Sequence, residues 1–390
     1  MDRKLPGDSC TGCGACMQTC KFEAILMQPQ ADGFLYPVID ENRCVQCGQC
    51  VSVCHALGDN ELHRPTACYA AQLEDRDVLL KSSSGGLFSA LAAVALKTDG
   101  IVYGCAYDED YNAVIVRAET QEQLEPFRGS KYVWSDPSGS YPLVKQDLED
   151  GRTVLYTCLP CQAAGLRKYL RKDYENLIIA DVLCGGSPSP FAFQKYLETL
   201  TDREGRKTLN FQFRDKDKTG AGVNCTYVLN GRKHFENWLE NSFYFSFCSQ
   251  SRISWRKSCY NCDYKSVSRV SDITIGDYWG VEKKHSEYKP RDGVSVVLVN
   301  TGKGAALLEK VKPGIRCTLS DVETVTEKNS LVMNAEDGHV PIPAQRDAFF
   351  AVLQSEGWDS VDRRFLSRRK KMLRKQKWRG FLRRIRHPFR

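Results

Sequence analysis

Cysteines stand at Cys10, Cys13, Cys16 and Cys20, and again at Cys44, Cys47, Cys50 and Cys54, so C-x2-C-x2-C-x3-C is written twice within 54 residues. Three thiolates within seven residues surround one small volume. The fourth follows four residues later and turns away at the start of a helix. At this spacing the fourth cysteine of each run serves the other cluster of a pair. The expected ligand sets are therefore Cys10, Cys13, Cys16 and Cys54 for one [4Fe–4S] cube, and Cys44, Cys47, Cys50 and Cys20 for the second. Gly12, Gly14 and Gly48 let backbone amides approach the cluster sulfurs. Structural zinc is the competing reading, but zinc modules present C-x2-C pairs far apart in sequence. A disulfide framework belongs to exported chains, and nothing here looks secreted. Lys21 and His55 stand where a proline usually follows the fourth cysteine; that changes the local turn, not the ligand set.

Residues 1–64 are thus expected to form a bacterial-type ferredoxin domain, its half-repeats joined by the strand-like run Gly33 to Ile39. After a linker at His63-Arg64-Pro65, short Val/Ile/Leu-rich runs alternate with helical ones: CYAAQL, LFSALAAVAL, GIVYGCAY, NAVIVRA, RTVLYTC, NLIIADVLC, SDITIGDYWG and VSVVLVNT. This texture predicts a mixed α/β or α+β domain over residues 65–345. With 390 residues the chain buries one large core, or two, beside the cluster domain. The N-terminus has no apolar stretch of the signal-peptide kind, and no run approaches the ~18 apolar residues of a membrane span. Eighteen cysteines without an export signal suggest a reducing cytoplasm.

Two turns suit a phosphate or pyrophosphate. Lys81-Ser82-Ser83-Ser84-Gly85-Gly86 precedes a helical run and offers amides, hydroxyls and a positive dipole end; a plain serine N-cap is the simpler reading. Gly129-Ser130-Lys131 offers a hydroxyl and an ammonium, or is an ordinary surface turn. Four further cysteines suffice for a third cube. Cys161 and Cys184 each follow an expected strand, at the carboxyl ends where ligands collect, and Cys259 with Cys262 forms a C-x2-C. Buried free cysteines are the alternative, and Cys158 competes as a ligand because it forms a C-x2-C with Cys161. Cys68, Cys105, Cys225, Cys248 and Cys317 read as core or incidental residues.

The blocks KSSSGGLFSAL, FRGSKYVWS, LPCQAAGL, LCGGSPS, FRDK, RKSCYNCDY and RVSDITIGDYWG occur in this order. With them the chain resembles, over about residues 1–300, the beta subunit family of coenzyme F420 hydrogenases and dehydrogenases, in its form with an N-terminal two-cluster domain. The resemblance implies FAD and a [4Fe–4S] cluster in the main domain, and electron exchange between a reduced deazaflavin and iron–sulfur partners. It implies that KSSSGG and GSKY contact the flavin nucleotide, and that Cys161, Cys184, Cys259 and Cys262 hold the third cluster. Asp272, Gly276, Asp277 and Trp279 are then expected near cluster or flavin. The chain departs from the family pattern at Cys158-Leu159, at Gly185 and at KDKTGAGV after FRDK, where substrate and redox partner meet. Bacterial relatives without deazaflavin resemble members of surface-polysaccharide gene neighbourhoods. The function so implied is an iron–sulfur flavoprotein oxidoreductase. It would couple hydride transfer at a flavin to one-electron transfer through the cubes, with a redox partner protein or ferredoxin and a small hydride donor or acceptor. A non-catalytic electron-relay subunit is the alternative. No general acid or base is assignable.

The net charge of +7 is a local property: residues 363–390 carry 14 Lys or Arg and no Asp or Glu, which leaves −7 for residues 1–362. Residues 346–390 therefore read as a basic tail. Trp378, Phe381, Leu382, Ile385 and Phe389 form one helical stripe, and Trp358, Val361, Phe365 and Met372 extend it. Such a helix suits an anionic membrane surface, here the inner face, more than nucleic acid, and a solvated tail is the plain alternative. The membrane reading predicts that the full chain co-sediments with anionic liposomes and that a chain lacking residues 355–390 does not; equal pelleting of both refutes it.

Overall fold

The computed structural model describes residues 5–137, 139–201, 205, 207–217, 220–222, 224–237, 244, 251–329 and 340–366. In the N-terminal domain each cysteine run enters a one-turn helix, Ala15–Gln18 or Gln49–Ser52, through a glycine in the left-handed region, Gly14 at φ 73° and Gly48 at φ 74°. Glycine adopts that conformation without penalty. The runs are joined by an antiparallel hairpin of β1 (Ile25–Pro29) and β2 (Leu35–Ile39).

The main domain is built on a nine-stranded mixed sheet. Its strands are β3 (Ala67–Leu73), β4 (Ile101–Tyr107), β5 (Ala113–Ala118), β6 (Ser135–Asp136), β7 (Val154–Cys158), β8 (Leu177–Val182), β12 (Ile273–Asp277), β13 (Ser295–Val299) and β14 (Ile315–Ser320). The intervening β9 (Leu209–Gln212), β10 (Asn224–Leu229) and β11 (Arg232–Asn237) form a separate antiparallel sheet. The order in the large sheet is β14-β3-β13-β12-β8-β7-β4-β5-β6, with β4, β7, β8 and β12 parallel to one another.

The strands expected after residue 65 all fall within this sheet, and their alternation accounts for its two covered faces. Val102, Leu155, Ala180 and Val297 pack with Leu87 and Leu91 of helix Leu87–Lys97 and Leu307 and Leu308 of helix Gly302–Val311. Their neighbours Ile101, Tyr103, Val154, Tyr156 and Ile179 face the other way, onto Tyr141 and Val144 of helix Ser140–Glu149 and Ala163 and Leu166 of helix Pro160–Leu170. A third core, rich in aromatic side chains, joins Phe193, Phe211, Phe213 and Tyr244 to Phe349, Phe350 and Leu353 of helix Arg346–Glu356. The packed domain thus runs past the expected boundary at residue 345. Trp358 and Val361, read as part of an amphipathic stripe, are buried in this core, and Phe365 packs against it. Met372 and the stripe from Trp378 to Phe389 lie outside the described residues, as does Cys248. Cys68 and Cys225 are core residues, and Cys317 is half-buried on β14. Among the described residues no helix is long and apolar enough to cross a membrane.

The N-terminal domain is docked on the main one by buried polar contacts. Arg346 Nη2 donates to Asp32 Oδ2 at 2.7 Å, and both side chains are almost fully enclosed. Ser189 Oγ donates to the Asp32 carbonyl, and Trp134 Nε1 to the Thr11 carbonyl. Removing one member of a buried pair strands the other charge. Asp32→Ala should therefore cost about 3–5 kcal/mol in denaturant unfolding; a loss below about 1 kcal/mol, the scale of a surface pair, would show that the ion pair does not hold the interface.

Candidate redox centre

Each N-terminal cysteine set lines its own small cavity: Cys10, Cys13, Cys16 and Cys54 one, Cys20, Cys44, Cys47 and Cys50 the other. This is the crossed arrangement, each run lending its fourth cysteine to its neighbour. Burial pushes the Cys13 thiol up to about 12, with Cys10 and Cys54 adding to the effect, and pushes Cys16, Cys50 and Cys54 upward as well. Thiolates gathered like this need a positive centre to be stable. Gly12 N–H lies 3.4 Å from Cys10 Sγ, the kind of backbone donor that steadies a cluster sulfur. Four thiols per set are the donor complement of a [4Fe–4S] cluster.

The third set comes together from three places in the chain. Cys161 sits in the first turn of the helix that follows β7, and Cys184 follows β8. Cys259 lies in the 3-10 turn Lys257–Tyr260, and Cys262 just beyond it. Burial pushes Cys161 well up, and the other three thiols together with Cys13 reinforce it; Cys184, Cys259 and Cys262 are each pushed up to about 11, burial first. Ser187 N–H points at Cys259 Sγ from 3.4 Å. The buried Lys265 holds the Cys259 carbonyl and lies near three of the four sulfurs. Cys158 is elsewhere: it pairs across the sheet with Asp181 and lines a larger cavity.

The first and third sets adjoin. A Cβ added to Gly165, one turn along from Cys161, would stand 2.9 Å from Cys13 Sγ, so only glycine lets the helix approach this closely. Between the sets runs a hydrogen-bonded bridge, Thr11 Oγ1 to His55 Nε2 at 2.9 Å and His55 Nδ1 to Tyr264 OH at 2.7 Å. His55, in the place of the usual proline, is buried and held neutral, its pKa lowered to about 4.

The larger cavity, about 340 Å³, opens at the carboxyl ends of the parallel strands. Ser82, Ser83, Ser84, Gly86, Gly129, Ser130 and Lys131 line it, together with Cys158 and Cys184. Gly86, at φ 79°, starts helix Leu87–Lys97 with no side-chain cap, so the first amides of that helix are open at the cavity wall. The serine hydroxyls are largely occupied: Ser82 donates to the Val78 carbonyl, Ser84 to the Val294 carbonyl, and Ser83 accepts from Ser130 N–H at 2.7 Å. Lys131, expected to present its ammonium to a ligand, donates to the carbonyls of Pro126, Phe127, Arg128 and Gly129, and its burial lowers it to about 8. Lys81 and Gly85 do not line the cavity. Lys81 is exposed, 3.3 Å from Glu125, and Gly85 packs on the Ala71 carbonyl.

Sequence reasoning missed what holds these loops. Arg214 forks onto Asp277 at 2.7 and 3.2 Å and donates to Tyr132 OH and the Ser83 carbonyl. Lys216 donates to the carbonyls of Leu79, Ser84 and Asp292. Two cations in one short block, FRDK, between aromatic-rich runs were the available signal. Gly276 and Asp277 line the cavity. Asp272 instead braces Ile179 N–H, Arg167 and Thr301, and Trp279 is half-exposed beneath Arg214.

A two-cluster domain packed on an α/β domain with a third thiol group defines an iron–sulfur electron-transfer protein. Residues 9–56 match the 4Fe-4S dicluster domain, and residues 68–139 and 151–325 match the N-terminal and C-terminal parts of the coenzyme F420 hydrogenase/dehydrogenase beta subunit. The chain belongs to that family. A structure of the F420-reducing [NiFe] hydrogenase complex from Methanosarcina barkeri is similar at 19% identity over 70% of this chain and 90% of that one, with a TM-score of 0.48. No curated protein matches the chain.

Cys161→Ser and Cys158→Ser separate the two candidate ligands. The first should lower bound iron by about four atoms per chain and the second should not; the reverse result would move the assignment to Cys158.

Proposed function

We propose that the protein is an iron–sulfur flavoprotein oxidoreductase in which the cavity holds a flavin and the three thiol sets hold [4Fe–4S] clusters. The observation that carries this reading is the position of the cavity. Its lining combines amide-rich turns at a helix start with Cys184 of the third set. A bound flavin would supply the exchange between two-electron hydride chemistry and single-electron transfer.

The chain's own part is to bind and to separate. The open amides from Leu87 onward and that of Gly129 suit the flavin's pyrophosphate. Arg214 and Lys216 hold the Ser83–Ser84 backbone in place, so the turn is formed before ligand arrives. Helix Pro160–Leu170 and Tyr264 fill the space between the first and third sets and exclude water from it. The second set, with Cys47 exposed, is the side open to a redox partner. The small hydride donor or acceptor would enter the cavity beside Cys158 and Leu159, where the chain departs from the family pattern; a deazaflavin or another nicotinamide-like molecule fits that role. The basic tail would bring the protein to an anionic membrane surface.

Protein purified without oxygen should contain about four irons and four sulfides per cluster, three clusters per chain, and one flavin. Addition of reduced deazaflavin, NADH or NADPH should bleach the flavin and then the clusters. Iron-loaded protein without flavin would leave the electron-relay reading, and zinc without flavin would overturn the proposal.

A further inference from the structure

Arg256 is a charge without an obvious counter-charge. It is 1% exposed, and among the described residues no carboxylate lies within ion-pair distance. Its Nε donates to the Cys10 carbonyl at 2.6 Å, and Nη2 donates to the Leu35 carbonyl at 2.8 Å and lies 3.6 Å from Cys10 Sγ. Nη1 is buried and has no hydrogen-bond partner among the described residues. The rings of Tyr36, Phe34 and Trp134 surround the guanidinium at 4.2, 5.2 and 5.5 Å. Aromatic faces help, yet a fully desolvated cation still requires an anion. Of the groups its side chain donates to, only the Cys10 thiol can become one.

The backbone of Arg256 belongs to the other side. Its N–H donates to the Ser187 carbonyl, and its carbonyl accepts from Cys259 N–H, both in the loops of the third set. One residue therefore has its main chain in the third set and its cation against the first. The approach is tight: a Cβ on Gly12 would stand 2.8 Å from Arg256 Nη1 and 2.7 Å from Trp134.

We infer that Arg256 is the positioning residue that raises the reduction potential of the cluster held by Cys10, Cys13, Cys16 and Cys54, so that electrons leaving the third set are drawn into the N-terminal domain. The inference rests on the cluster reading above. Reduction adds negative charge to a cluster, and a buried cation with an N–H directed at a ligand sulfur stabilises the reduced form. Lys257, one residue on, is more exposed and paired with Asp8 at 3.0 Å, so its charge is largely screened.

The test is a potentiometric titration of the full, anaerobically purified protein followed by EPR, on Arg256→Met, Arg256→Lys and Lys257→Met, with iron and sulfide measured on each. Arg256→Met should lower the midpoint of the cluster that Cys10 serves by at least about tenfold in the one-electron equilibrium, ~59 mV, lower that of the third set by less, since the Arg256 charge also reaches Cys259, and leave the second set in place. Arg256→Lys, which keeps the charge and loses the fork, should fall between it and the parent. Lys257→Met should not move any midpoint. Unchanged midpoints in iron-replete Arg256→Met overturn the inference, as does an equal shift in Lys257→Met. If Arg256→Met does not assemble, Arg256→Lys decides alone: a lowered midpoint supports the inference and an unchanged one refutes it. Iron-free parent protein would instead refute the cluster reading itself.

Discussion

Twelve thiols are gathered in three groups within one protein, most of them withdrawn from water, and the rest of the structure depends on that crowding. Thiolates held close together repel one another, and burial raises the cost of charging them. Left as thiols, they would be small apolar residues arranged at odds with their own packing. With iron bound, the same positions become ligands with amides, Lys265 and Arg256 directed toward them. The metal would then supply both the counter-charge and the covalent connection between loops from distant parts of the chain.

The architecture follows from that need. Parallel strands β7 and β8 deliver Cys161 and Cys184 to one end of the sheet, where the cavity also opens. The turn containing Cys259 and Cys262 closes over that end, and the N-terminal domain is clamped against it by Arg346 and Asp32, by Trp134 and by the close passage of Gly165. The cavity and the third set share Cys184, and the third set adjoins the first where Gly165 passes Cys13.

Much of this was legible in the residues. The cysteine spacing carried the grouping of the N-terminal thiols because three thiols within seven residues leave few geometric choices. The strand runs were legible because alternation over a two-faced sheet is a local pattern. The third group required four residues spread over about a hundred positions, and strand ends plus a C-x2-C, together with the order of the sequence blocks, connected them. The roles of single polar side chains were not legible. The four carbonyls that hold the Lys131 ammonium converge only after folding. Arg214, Lys216 and Arg256 are likewise defined by what surrounds them. The separate sheet of β9, β10 and β11 and the burial of Trp358 arise from long-range aromatic packing that has no short-range signature.

The most direct test of the central claim, that the three thiol sets hold clusters in mutual contact, is the EPR spectrum of the anaerobic protein as it is reduced stepwise. The account predicts paramagnetic clusters whose signals broaden and split through mutual interaction as neighbouring sites fill. Sharp signals that remain independent at full reduction, or none from folded protein never exposed to oxygen, would contradict it.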